Sequence, residues 1–295
     1  MTSTQELIMK RRNAPRTAPS DIRPQAVHDM TRPQQFQANT AQHQVAVTSL
    51  STNEKTVATR QMRKHTFVLV HGAWFGAWVW RDVASGIREM GHVVTTPTLT
   101  GIGERRHLGD GSTTLSTHIA DVALHVEMED LRDITLVGWS YGGLVTAGVL
   151  PRIEHRIKSM IYLDAFLPEN GKAIIDSYPS DRRAGMEAHR RDNTPVPPLP
   201  LAFFGVTEQP LIDFMTPRLT PQPWRTFCEP FKRITGSREV PTSYIRCALH
   251  KYEPFDIALK RMKADSRVRT GTLQTGHTCA LTDPSETIHA LISFA

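Results

Sequence analysis

Three cysteines in 295 residues, Cys228, Cys247 and Cys279, form neither a disulfide framework nor a paired metal-ligand spacing. Their scarcity favours a reducing compartment, and a cytoplasmic protein is the expectation. Long apolar runs are lacking too. None approaches the roughly 18 residues needed to span a bilayer, so no membrane partner is expected. A secretory signal would need an apolar core of about 7–15 residues near the start, and the first 62 residues offer none. Excess positive charge exists, at a formal +6, but it is partly gathered in that N-terminal stretch. No basic stripe interleaved with aromatics follows it, which argues against nucleic acid as a partner.

Residues 1–62 are rich in Gln, Thr, Arg and Pro, nearly devoid of aromatics, and periodic as neither helix nor strand. They read as a disordered extension. A transit peptide shares their Arg-rich character, and an over-long gene model is the plainer alternative, because Met62 directly precedes a natural first strand. The remainder, with 39% hydrophobic residues in the whole chain, has enough apolar content for one sizeable domain over 63–295.

In that remainder, apolar strand-like runs alternate with helix-like stretches. Strands are expected at Phe67–Val70, His92–Val94, Ile134–Val137, Lys158–Leu163, Ser243–Cys247 and Val268–Leu273. Helices are expected at Trp78–Met90, Thr117–Glu129, Tyr141–Leu150 (stopped by Pro151) and from Pro284 onward. Alternation of this kind predicts a mostly parallel sheet flanked by helices, an α/β fold. The rhythm breaks over about 171–238, where Pro-rich segments are interspersed with Phe203, Phe204, Phe214, Trp224 and Phe231. A segment that long is either disordered or a functional lid, and its aromatics favour an inserted lid.

Within this pattern lies Gly138-Trp139-Ser140-Tyr141-Gly142, a G-x-S-x-G between an expected strand and an expected helix. There the motif denotes a nucleophile elbow, a turn so tight that glycine is required on both sides of the serine. A serine hydroxyl needs a neighbouring base, and the chain order for this fold is serine, acid, histidine. Of thirteen histidines, His277 stands after the last strand and before the last helix, as that order requires. His71-Gly72-Ala73 follows the first strand, where the Ala73 N–H could join the Tyr141 N–H in an oxyanion hole. His71 itself reads as structural, holding loop backbone.

The acid is less defined. The loop after the Ser243–Cys247 strand carries His250 where the carboxylate is expected, with Glu253 and Asp256 beyond it. Asp164, at the end of the preceding strand, is the favoured acid, and Glu253 and Asp256 stay open as alternatives. Gly101-Ile102-Gly103 lacks the third glycine of a dinucleotide fingerprint, and Arg105 and Arg106 fit a solvated loop better than a substrate carboxylate. His250, His277, Cys247 and Cys279 follow no zinc spacing, so neither metal nor organic cofactor is expected. Cys279 reads as a small buried residue near His277.

His71 to Trp80 (HGAWFGAWVW) together with GWSYGG at 138–143 resembles the α/β-hydrolases grouped with plant methylesterases and hydroxynitrile lyases, in particular their bacterial carboxylesterases. LTGIGER at 99–105, YLDAFLP at 162–168 and Pro221-Gln222-Pro223 extend the likeness, which runs from about residue 64 to the end. The resemblance implies an α/β-hydrolase fold with Ser140 as nucleophile, His277 as base and Ala73 and Tyr141 as oxyanion donors. His250 at the usual acid position departs from the pattern. The lyases of the group have threonine where this chain has Gly72, and lysine where it has Thr278, so ester hydrolysis is favoured over cyanohydrin cleavage. The expected substrate is an apolar or aromatic small-molecule ester, cleaved through an acyl-enzyme. A slow-turnover ligand sensor is the rival from another class. Oligomeric state is not legible.

Overall fold

The computed structural model describes residues 64–233 and 239–295. The extension expected over 1–62 lies outside the described residues, as does the end of the inserted segment. Six strands form one parallel sheet. The first part of the chain gives β1 (Thr66–Val70), α1 (Arg81–Glu89), β2 (Val93–Thr95) and α2 (Leu115–Met128). It continues through β3 (Ile134–Trp139), α3 (Gly142–Ile153) and β4 (Ile157–Leu163). Between β4 and the next strand come α4 (Ser180–Asp192), α5 (Gln209–Met215) and the single turn α6 (Arg225–Cys228). The sheet resumes with β5 (Thr242–Cys247), α7 (Glu253–Lys263) and β6 (Arg269–Leu273), and ends in the short α8 (Cys279–Thr282) and α9 (Pro284–Phe294).

The strand order is β2-β1-β3-β4-β5-β6, with every pair parallel. A strand covered on both faces is predominantly apolar, and the central β3 is buried at all six positions, its one hydroxyl, Thr135, bonded to Ser159. The edges are weaker: β2 is three residues long, and β6 leaves Arg269 and Thr272 exposed. The chain winds outward from β1 to β2, then returns to place β3 on the other side of β1. That reversal is a topological switch point, and the crevice at the carboxyl ends of β1 and β3 is where ligands bind in open α/β sheets. Ser140 follows β3 directly, and His71 follows β1.

Several helix boundaries differ from expectation, and α2 begins at Leu115, ahead of the expected Thr117. The stretch from Trp78 divides into a 3-10 turn, Ala77–Trp80, and then α1. Pro151 does not stop α3, which runs on to Ile153. Proline removes one N–H from the helix, and in the last turn only one intrahelical bond is lost before the helix ends. The start of α2 is fixed by a capping box, in which Thr114 and Thr117 each satisfy the other's backbone N–H.

Candidate active site

Ser140 sits at φ 56°, in the left-handed region that L residues seldom adopt. The surroundings over-determine that conformation. A Cβ at Gly138 would meet Thr146 Oγ1 at 2.5 Å and the Gly142 carbonyl oxygen at 2.7 Å. A Cβ at Gly142 would meet the carbonyl oxygens of Val70 and His71 at 2.7 and 2.8 Å. Gly138 thus lets the strand press against the start of α3, and Gly142 lets the turn press against the end of β1. The turn is tied further by Ser140 N–H to the Leu163 carbonyl (3.2 Å) and Phe166 N–H to the Ser140 carbonyl (3.1 Å). Strain held by its neighbours in this way is typical of functional turns.

The His277 ring bridges the serine to a carboxylate. Its Nε2 lies 3.0 Å from Ser140 Oγ, and its Nδ1 lies 2.7 Å from Asp164 Oδ2. Trp139 Nε1–H donates to the His277 carbonyl at 2.9 Å, and the rings of Phe204 and Phe255 stack on the imidazole. The ring is thus held at both nitrogens, at its backbone and on its faces.

Asp164 is fully buried and also has positive φ, 42°. Four donors converge on its carboxylate. His277 Nδ1 and His250 Nδ1 (3.2 Å) face Oδ2, while Arg246 Nη1 (2.6 Å) and the Cys247 N–H (3.1 Å) face Oδ1. Burial alone would raise its pKa, but the hydrogen bonds from the two histidines and the charges of His277 and Arg246 prevail and hold it well below the usual carboxylate range. An ionised carboxylate only accepts, so the geometry puts a proton on Nδ1 of both rings. In neutral His277 the unprotonated Nε2 then accepts from the Ser140 hydroxyl. Burial lowers the His277 pKa, with Asp164 opposing the shift, which favours that neutral form.

Of the other candidate acids, Glu253 is an exposed residue opening α7, and Asp256 accepts from Arg246 Nε at 2.9 Å with its side chain 61% exposed. Among the described residues, the carboxylate on the His277 ring is that of Asp164. His250 occupies the loop where an acid was expected, with its ring centroid 4.5 Å from that of His277. The roles of His250 and Arg246 were not read from the sequence. One signal was present: an arginine in the otherwise uncharged strand TSYIRC needs a buried counter-charge.

The Ala73 and Tyr141 residues line the same cavity as Ser140 and His277. Among the described residues neither of their N–H groups has an intramolecular acceptor. Tyr141 is also the N-cap of α3, so its N–H stands at the positive end of a helix dipole. The Tyr141 hydroxyl is bonded to His118 Nδ1 at 2.9 Å, and His118 Nε2 to the Thr100 carbonyl at 2.9 Å. His71 is wholly buried and accepts the Leu99 N–H on Nε2 while donating from Nδ1 to the Gly72 carbonyl. It holds the loop that carries Ala73. Arg105 is likewise occupied away from the cavity, donating to the Thr98 carbonyl and Thr100 Oγ1.

Asp164, His250 and His277 also gather three metal-type donor atoms within 4.8 Å of one another. Their arrangement opposes a cation. Two Nδ1–H groups already face one carboxylate oxygen, and the Arg246 guanidinium supplies the positive charge beside it. Cys247 and Cys279 are buried free thiols and are not among the cluster's three donors.

The sequence model of the alpha/beta hydrolase family matches residues 67–290. The chain belongs to that family. The carbendazim hydrolyzing esterase of Nocardioides sp. (strain SG-4G) is 53% identical over 113 residues, covering 38% of this chain and 47% of that protein. Methylesterase 8 of Arabidopsis thaliana is 32% identical over 114 residues, covering 38% and 42%. The likeness thus spans under half the length of these curated relatives. A solved extracellular α/β-hydrolase from a Paenibacillus species, described as sharing structural and functional homology with tobacco Salicylic Acid Binding Protein 2, superposes with TM-score 0.67. It is 23% identical and covers 78% of this chain and 99% of its own, a likeness of fold. Among the described residues, no helix is long and apolar enough to cross a membrane.

Proposed function

We propose that this protein hydrolyses a small apolar or aromatic carboxylic ester through an acyl-enzyme. The observation that carries the reading is the chain of short contacts from Ser140 Oγ to His277 Nε2 (3.0 Å) and from His277 Nδ1 to Asp164 Oδ2 (2.7 Å), on an elbow at positive φ. In this mechanism Ser140 Oγ attacks the ester carbonyl carbon as His277 Nε2 takes its proton. Asp164 stabilises the imidazolium and keeps its Nδ1–H oriented. The Ala73 and Tyr141 N–H groups receive the oxyanion, a contribution of about 2.7–4 kcal/mol per donor in hydrolases of this kind. Collapse breaks the C–O bond, the alcohol leaves with the proton from His277, and water repeats the sequence to release the acid. The names of the relatives, an esterase and a methylesterase, agree with this chemistry.

The cavity at Ser140 has walls rich in aromatic side chains, among them Trp74, Phe166, Phe203, Phe204 and Phe227. Phe203 and Phe204 come from the segment between β4 and β5, which acts as the lid. Such a lining suits an apolar or aromatic ester. A cyanohydrin lyase fits less well. A Cβ at Gly72 would lie 3.0 Å from Ser140 Cβ and 3.1 Å from the Trp139 ring, too close for the lyases' threonine without a shift, and Thr278 offers no cation for departing cyanide. A non-turnover sensor loses its motive once a buried carboxylate supports the base. The decisive experiment replaces Ser140 by alanine and follows p-nitrophenyl acetate. Loss of both the p-nitrophenol burst and labelling by a serine-directed phosphonate is expected; full activity in Ser140→Ala, or label on another residue, rejects the proposal.

A further inference from the structure

The polar groups of this cavity are not confined to its Ser140 end. Arg182, on α4, is half-buried in the cavity wall. Its guanidinium carbon lies 4.2 Å from the Tyr178 ring centroid and 5.2 Å from that of Phe203. A guanidinium stacked on rings uses its flat faces there and keeps its N–H edge for an acceptor. Other arginines of the helix have acceptors: Arg183 donates to the Asp176 carbonyl, Arg190 pairs with Glu187, and Arg191 with Asp192. Among the described residues no carboxylate lies within 4.0 Å of Arg182, and the guanidinium donates no hydrogen bond.

Tyr252 is the second observation. It lines the same cavity, its ring stacks on His250, and its hydroxyl is enclosed with no hydrogen-bond partner among the described residues. An enclosed hydroxyl without a partner is uncommon and calls for one. Burial pushes the Tyr252 phenol up and the Arg182 charge opposes that shift, so the two groups lie within electrostatic reach of each other. Two unmet donors therefore border an otherwise aromatic chamber whose reactive end is Ser140.

We propose that Arg182 and Tyr252 form an anion-recognising end of the cavity, and that the preferred substrate is an aromatic ester carrying a second, ionised carboxylate. The inference rests on the esterase reading of Ser140 and adds its substrate class. The aromatic ring of such a substrate packs among Phe203, Phe204 and Leu199, with its ester carbonyl at Ser140. Its free carboxylate takes the Arg182 edge and the Tyr252 hydroxyl, a charge-assisted set that a neutral ester leaves unpaired.

Monomethyl terephthalate and methyl benzoate differ by that one carboxylate. The wild-type enzyme is expected to favour the former by about tenfold or more in kcat/KM. Arg182→Met should erase most of this preference, Arg182→Lys should retain a good part of it, and Tyr252→Phe should reduce it several-fold. Equal use of both esters by the wild type, or Arg182→Met lowering both in proportion with Arg182→Lys no better, overturns the anion site while leaving the esterase reading intact. Binding of monomethyl terephthalate to Ser140→Ala, with and without Arg182→Met, separates the other failure. If neither ester is cleaved by the wild type but binding still weakens about tenfold on loss of Arg182, the anion site stands and the esterase reading falls. No difference in binding rejects the anion site.

Discussion

Asp164→Asn is the sharpest perturbation this site allows, because all four groups on the carboxylate are donors. His277 Nδ1 and His250 Nδ1 meet one oxygen, and Arg246 Nη1 and the Cys247 N–H meet the other. Only a carboxylate accepts on both sides. An asparagine amide must turn its NH2 either toward Arg246, setting donor against donor beside a buried cation, or toward the histidines. The second arrangement is the cheaper, and it forces the His277 proton from Nδ1 to Nε2. His277 then cannot accept from Ser140. In serine proteases the equivalent change costs about 10⁴ in kcat, which is about 5.4 kcal/mol of transition-state stabilisation. A similar loss is expected here with p-nitrophenyl acetate. Removing one partner of a buried ion pair costs about 3–5 kcal/mol, and Asp256 remains on Arg246 to soften that loss. The variant should therefore fold with a lowered Tm, checked by near-UV circular dichroism. Glu253→Gln and Asp256→Asn serve as controls, each losing under about tenfold. A folded Asp164→Asn enzyme within tenfold of wild-type kcat would refute the assignment of the acid.

Four further outcomes are expected. The kcat/KM profile should fall on the acid side with a midpoint below 6.5, because burial lowers the His277 pKa from that ordinary value and the base works only when unprotonated; a midpoint above 6.5 contradicts this. His71 and His118, both lowered by burial to about 4, contribute stability that is complete above pH 6.5 and is lost as pH falls toward 4, about 3 kcal/mol each at the limit, readable by urea unfolding at pH 7 and pH 4.5. Gly142→Ala forces a Cβ to within 2.7 Å of the Val70 carbonyl oxygen, so a loss of about 1–3 kcal/mol and a displaced Ser140 are expected; wild-type Tm and activity together would refute the packing argument. His250→Gln should retain more activity than Asp164→Asn, since His250 meets the carboxylate at 3.2 Å and not the serine, and should shift the acid limb by removing an imidazole whose charge depresses His277.

The sheet was readable because its rules are local. A strand buried on both faces is predominantly apolar, and the near-continuous apolar runs of β1 and β3 fit the middle of a parallel sheet. The alternation with helices then limited the topology, and the elbow glycines marked one turn within it. Helix ends were less readable. Pro151 is a strong stop signal in isolation, but α3 is packed against the sheet and loses only one bond by passing it.

The acid was hard to read for a different reason. A carboxylate serves His277 by reach, and reach depends on how two neighbouring strands lie side by side. Leu163 pairs with Ile245 across β4 and β5, so Asp164 leaves β4 beside Arg246 and Cys247. No spacing in the chain records that 82-residue separation between Asp164 and Arg246. What the sequence did hold was an imbalance: a buried arginine in β5 with no acid in its own loop, and a histidine where the acid was expected. Both ask for one carboxylate from elsewhere. Glu253 and Asp256, a few residues beyond His250, do not meet that demand at the histidines; it is met in space by Asp164, which serves Arg246, His250 and His277 together. The acid's position just after β4 is thus coupled to Arg246 on β5. In an Asp164→Ala/His250→Asp double variant the carboxylate would stand on the loop instead. Because Arg246 holds the acid at its present place, little activity is expected to return. Full restoration would show that the loop position suffices and that the guanidinium does not decide where the carboxylate must stand.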